Sequence, residues 1–233
     1  MWGPNTEKAA DDLGFTTSLA LIEGIDVSAF CCDNHGRSLI DWDRLDPKPR
    51  FVIARTSFGV HKDGASDGQL KDARSIGAIT GVYHFYEASE DPIKQAKVWF
   101  AAAGPQPCGS TFQPAIDFEN NRENPLTPTE AQHWAMSGRA LILAAEQLFQ
   151  RSLMIYINPK TAREMSTYLD DFWSRRLLWV AAYTGTPGVA PVKPWKSVAV
   201  HQFAGDVHMP GATRVMVDRN AVFGEDTFAQ LLQ

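Results

Sequence analysis

Eight short runs of apolar, mostly β-branched residues recur along the chain, at 22–27, 51–56, 78–86, 112–118, 153–157, 177–182, 197–203 and 215–217. They are apolar nearly throughout, with little alternation, which suits strands buried on both faces as in a parallel sheet covered by helices. Eight is also the number at which such a sheet closes into a barrel filled by its own side chains. An open doubly wound sheet is the alternative. The sequence has no GxGxxG turn and no GxxxxGK[ST] loop, so the nucleotide chemistry common on open sheets has no footing.

Helix signals fall between several of these runs. In Thr127-Pro128-Thr129-Glu130, threonine caps the first amides, proline takes the first helical position and glutamate completes a capping box. Behind it Ala131, Trp134, Ala135, Gly138, Leu141, Ala145, Leu148 and Phe149 form one apolar face. Asp91-Pro92 before 93–103 and Asn158-Pro159 before 160–168 repeat the cap-then-proline pattern, and weaker helices are expected at 67–76 and 226–232. After the fifth run the gaps 182–197 and 203–215 are rich in Gly and Pro without helical period. The pattern predicts an α/β fold, a modified TIM-like barrel of five strand-helix units followed by three strands, (β/α)5(β)3. Residues 1–20 read as a lead-in and 21–233 as a single barrel domain, since 233 residues suffice for one sizeable core.

The formal net charge is -5 and Lys and Arg are not clustered, which argues against nucleic acid or an anionic membrane as partner. No apolar run is long enough to span a bilayer, and the first twenty residues lack the parts of a secretory signal, so synthesis in the cytoplasm without a signal peptide is expected. Of the three cysteines, Cys31 and Cys32 are adjacent; all three read as packing residues and not as a disulfide framework. The histidines show no HExxH or related spacing, so neither a metal nor another cofactor is expected.

Barrel chemistry sits at the C-terminal ends of the strands. Here those ends are acidic: Asp26 closes the first run, Asp117 and Glu119 the fourth, and Asp218 the last. Residues two apart on a strand share a face at roughly 6 to 7 Å, so Asp117 and Glu119 can address one substrate. Two such carboxyl groups are the minimum equipment for cleaving a glycosidic bond, with repulsion keeping at least one protonated. One acid would protonate the departing oxygen while the other supports the positive charge developing at the sugar. A lone Asp after a strand is more often a cap, but a DxE pair buried on an apolar strand without a role would cost several kcal/mol per unpaired charge. Tyr83, Phe85, Tyr86, Tyr156, Trp179, Tyr183 and Phe203 place aromatic rings near strand ends, where sugar C-H faces can pack. Of these Tyr83, Tyr156, Trp179 and Tyr183 are the candidate substrate contacts. Gln202 and Arg55 join them, each with the alternative of satisfying a barrel carboxylate.

Gly24-Ile25-Asp26-Val27-Ser28, Asp41-Trp42, Gly81-Val82-Tyr83-His84-Phe85-Tyr86, Ile116-Asp117-Phe118-Glu119, Leu178-Trp179-Val180-Ala181-Ala182-Tyr183, Gln202-Phe203 and Val217-Asp218-Arg219-Asn220 together resemble the glycoside hydrolase family 25 lysozymes. The resemblance implies a modified barrel that hydrolyses the β-1,4 bond from N-acetylmuramic acid to N-acetylglucosamine in peptidoglycan, with retention and without a cofactor. It implies that Glu119 is the general acid/base, that Asp117 orients the N-acetyl group or stabilises charge, and that Asp26 and Asp218 flank them. Direct attack by Asp117 and attack by the substrate's own acetamido oxygen both stay open. His201-Gln202-Phe203 and Arg55-Thr56-Ser57-Phe58-Gly59 depart from the family's commoner residues. A chitinase-like hydrolase and a non-catalytic glycan-binding barrel are the competing readings, although the DxxDxDxE strand of the first is absent and no acid is missing for the second. A phage endolysin, released at lysis, and an injected antibacterial effector, accompanied by a cognate inhibitor protein, would read alike. Either would act on the cell wall after lysis or specialised secretion.

Overall fold

The computed structural model describes residues 20–233. The expected lead-in at 1–20 therefore lies, but for Ala20, outside the described residues. The strands are β1 (Leu21–Val27), β2 (Phe51–Phe58), β3 (His61–Lys62), β4 (Ile79–Phe85), β5 (Ala115–Phe118), β6 (Met154–Ile157), β7 (Leu177–Ala181), β8 (Val200–Val207) and β9 (Val217–Phe223). β3 pairs only with the end of β2 and stands outside the ring. The other eight close into a barrel through β1, which pairs with both β2 and β9.

All eight expected strands form, but the last differs in direction. β1, β2 and β4 to β8 run parallel, whereas β9 is antiparallel to both β8 and β1. The apolar run at 215–217 is only its entry; the strand continues through Asp218-Arg219-Asn220, polar residues that gave no strand signal. Asp218 therefore starts a strand instead of ending one. Reversal of β9 puts that start at the same mouth as the other strands' C-terminal ends, opposite Asp26.

Helices α1 (Ser66–Ser75), α2 (Pro92–Ala103), α3 (Pro128–Phe149), α4 (Pro159–Glu164) and α5 (Asp171–Ser174) cover the outside, and α6 (Glu225–Leu231) follows β9. The cap signals are met. Thr127 and Glu130 form the reciprocal capping box, and Asp91 and Asn158 accept from Lys94 N and Thr161 N. The helix expected at 160–168 stops at Glu164 and a second short one follows. The first connection, β1 to β2, holds two single 3₁₀ turns in place of a helix.

Between α3 and the barrel lies a buried layer of Trp99, Phe118, Leu141, Ile155 and Trp173. Gly138 of α3 permits its approach: a Cβ there would stand 2.6 Å from Phe118 Cε1 and 3.1 Å from Trp173 Cη2. At the far end from the mouth Phe228 of α6 packs on Phe51 and Phe112 and closes the barrel floor. Cys31 is buried as expected, but Cys108 is exposed, and all three thiols are free.

Candidate active site

The strand register sets one belt of inward residues around the mouth. Asp26 lies opposite Asp218, Asp117 beside Tyr156, Tyr156 beside Trp179, and Gln202 beside Asn220. The belt encloses a cavity of about 200 Å³ lined by Asp26, Arg55, Tyr83, Asp117, Glu119, Tyr156, Trp179, Tyr183, Gln202 and Asp218. All ten residues singled out in the sequence meet there. Glu119 stands one residue beyond β5 yet keeps the inward alternation, while Phe118 between it and Asp117 points outward into the α3 layer.

The two central acids sit in different surroundings. Asp117 is buried, and its Oδ1 is sealed from solvent with no hydrogen-bond partner. Burial, reinforced by the Glu119, Asp26 and Asp218 charges and opposed by Arg55, raises its pKa well above the usual carboxylate range. Desolvation, the largest cause, thus favours the protonated form of Asp117. Glu119 is half-buried and meets neutral groups: Asn121 Nδ2 donates to Oε2 at 3.3 Å, and Asn158 Nδ2 and the Tyr156 hydroxyl approach Oε1 at 3.4 and 3.3 Å.

Gln202 fixes the direction of the hydrogen bonds. Its Nε2 donates to Asp26 Oδ2 at 2.7 Å and Asp218 Oδ2 at 3.3 Å, so Oε1 must be the acceptor and takes the Tyr156 hydroxyl proton at 2.8 Å. Tyr156 has no second proton. Its contact with Glu119 Oε1, at 3.3 Å, is the longer of the two. Asn220 adds a second amide to Asp26 at 2.7 Å and is itself held by the Trp179 indole at 2.8 Å. Asp26 also gains proton affinity, first from burial and then from Asp218, and Asp218 is pushed up to about 6, chiefly by burial.

The remaining side chains differ in how open they are. Trp179, 1% exposed, is the floor of the cavity, edge-on to Tyr83 and Tyr156, and not an open platform. Tyr183, 65% exposed, is the open ring, and it packs where a Cβ on Gly205 would stand, 2.6 Å from its Cζ. Arg55 is paired with the buried Asp63 at 2.9 Å and lies between the Phe30 and Phe58 rings. Phe203 is buried under Arg219 and does not line the cavity.

The sequence reading missed Ser28, Phe30 and Asn121, which line the cavity, and Asn158 and Asn220, which hold its acids. Asn158 was visible only as a helix cap; its Oδ1 caps α4 while its Nδ2 faces Glu119. Among the described residues no group of three or more His, Cys, Asp or Glu side chains is placed to hold a metal ion.

The sequence pattern of the glycosyl hydrolases family 25 matches residues 25–212, from the first strand to the loop before β9. The chain belongs to that family. It is a glycoside hydrolase, and the family 25 barrel is recognisable in solved structures of low identity. A bacterial lysozyme from Streptomyces coelicolor superimposes with a TM-score of 0.75 at 19% identity, over 93% of this chain and 98% of that one. A muramidase from Acremonium alcalophilum gives 0.69 at 22%, over 91% and 98%. The family 25 lysozyme from Aspergillus fumigatus gives 0.70 at 19%, over 92% and 100%. No curated protein matches the chain.

Proposed function

We propose that this family 25 chain is a peptidoglycan hydrolase of the lysozyme type, an N-acetylmuramidase that cleaves the β-1,4 bond between N-acetylmuramic acid and N-acetylglucosamine. The observation that carries the reading is the unlike pair on β5, a half-buried Glu119 among neutral donors beside a buried Asp117 with an unpartnered oxygen. The lysozymes and muramidase of the same fold supply the substrate class.

In this reading Glu119 is the general acid, with the Tyr156 hydroxyl beside its Oε1 and held in turn by Gln202. Asp117 serves the reacting sugar. An acetamido N-H arriving at Asp117 gives the carboxyl the hydrogen bond it lacks, favours its ionised form and turns the acetamido oxygen towards the anomeric carbon, where it displaces the leaving oxygen. Water then adds at that carbon with Glu119 as base, and the two inversions give net retention. Asp26 and Asp218 hold Gln202, and through it Tyr156, in place. No step uses a metal, so activity is expected to survive exhaustive chelation. A loss that added metal restores would remove this mechanism.

Release of reducing ends from purified peptidoglycan, set against chitin, tests the function. Release from peptidoglycan ending in N-acetylmuramic acid is expected; products ending in N-acetylglucosamine, or a preference for chitin, would overturn it. The wall lies outside the cytoplasm, so the reading also requires a route of delivery to it.

A further inference from the structure

Between β7 and β8 there is no helix, and residues 182–199 run as a loop. Val189, Val192 and Val198 pack it against the core that α3 also covers. Tyr183, near its start, lines the cavity with a largely exposed ring. Backbone bonds hold that start at Ala182 N, which donates to the Gln202 carbonyl at 3.1 Å, at Thr184 N, to the Ala182 carbonyl at 2.8 Å, and at Gly185 N, to the Phe203 carbonyl at 3.0 Å.

His201, on β8, is fully buried and ties the loop at two points, one on either side of Tyr183. The Gly188 N-H donates to Nδ1 at 3.1 Å, so Nδ1 is an acceptor, and Nε2 carries the proton that it donates to the Ala182 carbonyl at 2.8 Å. Gly188 meets the ring with a φ of 125°, a backbone conformation that residues with a side chain rarely adopt. By the alternation of β8 the ring faces away from the cavity that Gln202 lines. His201 therefore acts on the site through the loop and not by contact with substrate.

The two bonds together fit only the neutral ring. A second proton has only Nδ1 to go to, where the Gly188 N-H already points, and donor would then face donor. The groups that meet the ring are Val180 across β7, Ala221 across β9, Phe203 with centroids 6.2 Å apart, the Ala182 carbonyl and the Gly188 amide. None of these is charged. Beyond Phe203 lie Arg219, over its ring, and Glu23, paired with Arg219. Burial lowers the imidazole's pKa from its ordinary value, with the bond to Ala182 opposing.

We propose that His201 is a positioning residue whose neutral imidazole holds Tyr183 at the mouth of the cavity and whose protonation frees it. The part of Tyr183 in handling glycan rests on the lysozyme reading; the clamp on the loop does not. Asp218, Glu119 and Asp26 also face the Tyr183 ring, so the test needs a reporter outside the cavity, the Gly188 amide. In NMR of the free protein between about pH 8 and about pH 4, the His201 ring is expected in its Nε2-H form at the start, and the Gly188 and Tyr183 resonances should move with it as it gains its second proton. In turnover on soluble peptidoglycan fragments, His201→Phe should raise KM about 5-fold with kcat nearly unchanged, through loss of the bonds to Gly188 and Ala182. His201→Gln, which keeps a donor and an acceptor but has no proton to gain, should recover most of that loss and abolish the matching rise in KM at acid pH. Adding His201→Phe to Tyr183→Ala should raise KM no further. A ring that stays neutral to about pH 4, a Gly188 or Tyr183 resonance that ignores its titration, or additive losses in the double variant would overturn the proposal. Failure of the wild-type enzyme to cut peptidoglycan would strike the lysozyme reading instead, because the clamp is read without turnover.

Discussion

Tyr156 has one proton to give, and the amide of Gln202 claims it. The two carboxylates of β5 differ in their surroundings, Asp117 buried with an unpartnered oxygen and Glu119 half-buried among neutral groups. Glu119→Gln keeps the shape but removes the transferable proton, so turnover on peptidoglycan should fall at least about 100-fold while glycan binding persists. Near-normal release of reducing ends by the folded variant would sink the assignment. Asp117→Asn should also cut turnover severely, yet its stability should move the other way. A carboxyl whose pKa is raised by folding stabilises the native state only while protonated, and that benefit is lost as pH rises above the ordinary carboxylate range. An amide carries no such charge. The variant's melting temperature should therefore exceed the wild type's at pH 7 and the gap should shrink towards pH 4; a gap that widens on acidification would contradict the burial argument.

At the level of elements, Gly138 shows how closely helix packing and chemistry are joined. Adding a methyl group there pushes on Phe118, the residue between the two acids. Overpacking of this kind costs about 1–3 kcal/mol, against at most ~1 kcal/mol gained in helix propensity. Gly138→Ala is expected to lower both the melting temperature and activity, whereas Thr127→Ala, which removes the capping box, should cost about 1 kcal/mol and leave turnover intact. Equal activities for the two variants would deny the link through Phe118. Strands buried on both faces were legible because their apolar runs are continuous, and the helices because Thr127, Asp91 and Asn158 announce their starts. The direction of β9 was not legible, since pairing direction depends on long-range register and leaves no local mark. The acids were found as a group because barrel chemistry gathers at one mouth. Asn158 and Asn220 were not, because an amide that orients an acid looks in sequence like any cap or loop residue. Trp179 was read as a candidate substrate contact; it lines the cavity, with nearly all of its surface buried.

For the molecule as a whole, the buried titratable groups set opposing slopes. Asp26, Asp117 and Asp218 bind protons more tightly when folded, so their contribution falls as pH rises, for Asp218 between about 4 and about 6. Burial holds His84 down to about 4, so the unfolded chain takes that proton first and stability is lost as pH falls below about 6.5. The three carboxylates outnumber the imidazoles, so the melting temperature should fall as the pH rises from about 5 towards 8; a continuous rise from pH 6 to pH 8 would show that the carboxylates are not desolvated. The closing pair of strands has a further outcome. Asp26 and Asp218 face each other across β1 and β9, nearly the whole described chain apart in sequence. Such a pairing carries a high loop-closure cost and a high contact order, while the helices and neighbouring strands rest on local contacts. Until that seam forms, Gln202 has only one of its two acids, and Tyr156 has no fixed direction in which to send its proton. Recovery of hydrolysis during refolding should therefore trail the return of helical signal. Catalysis becomes a clock for the moment the ring shuts.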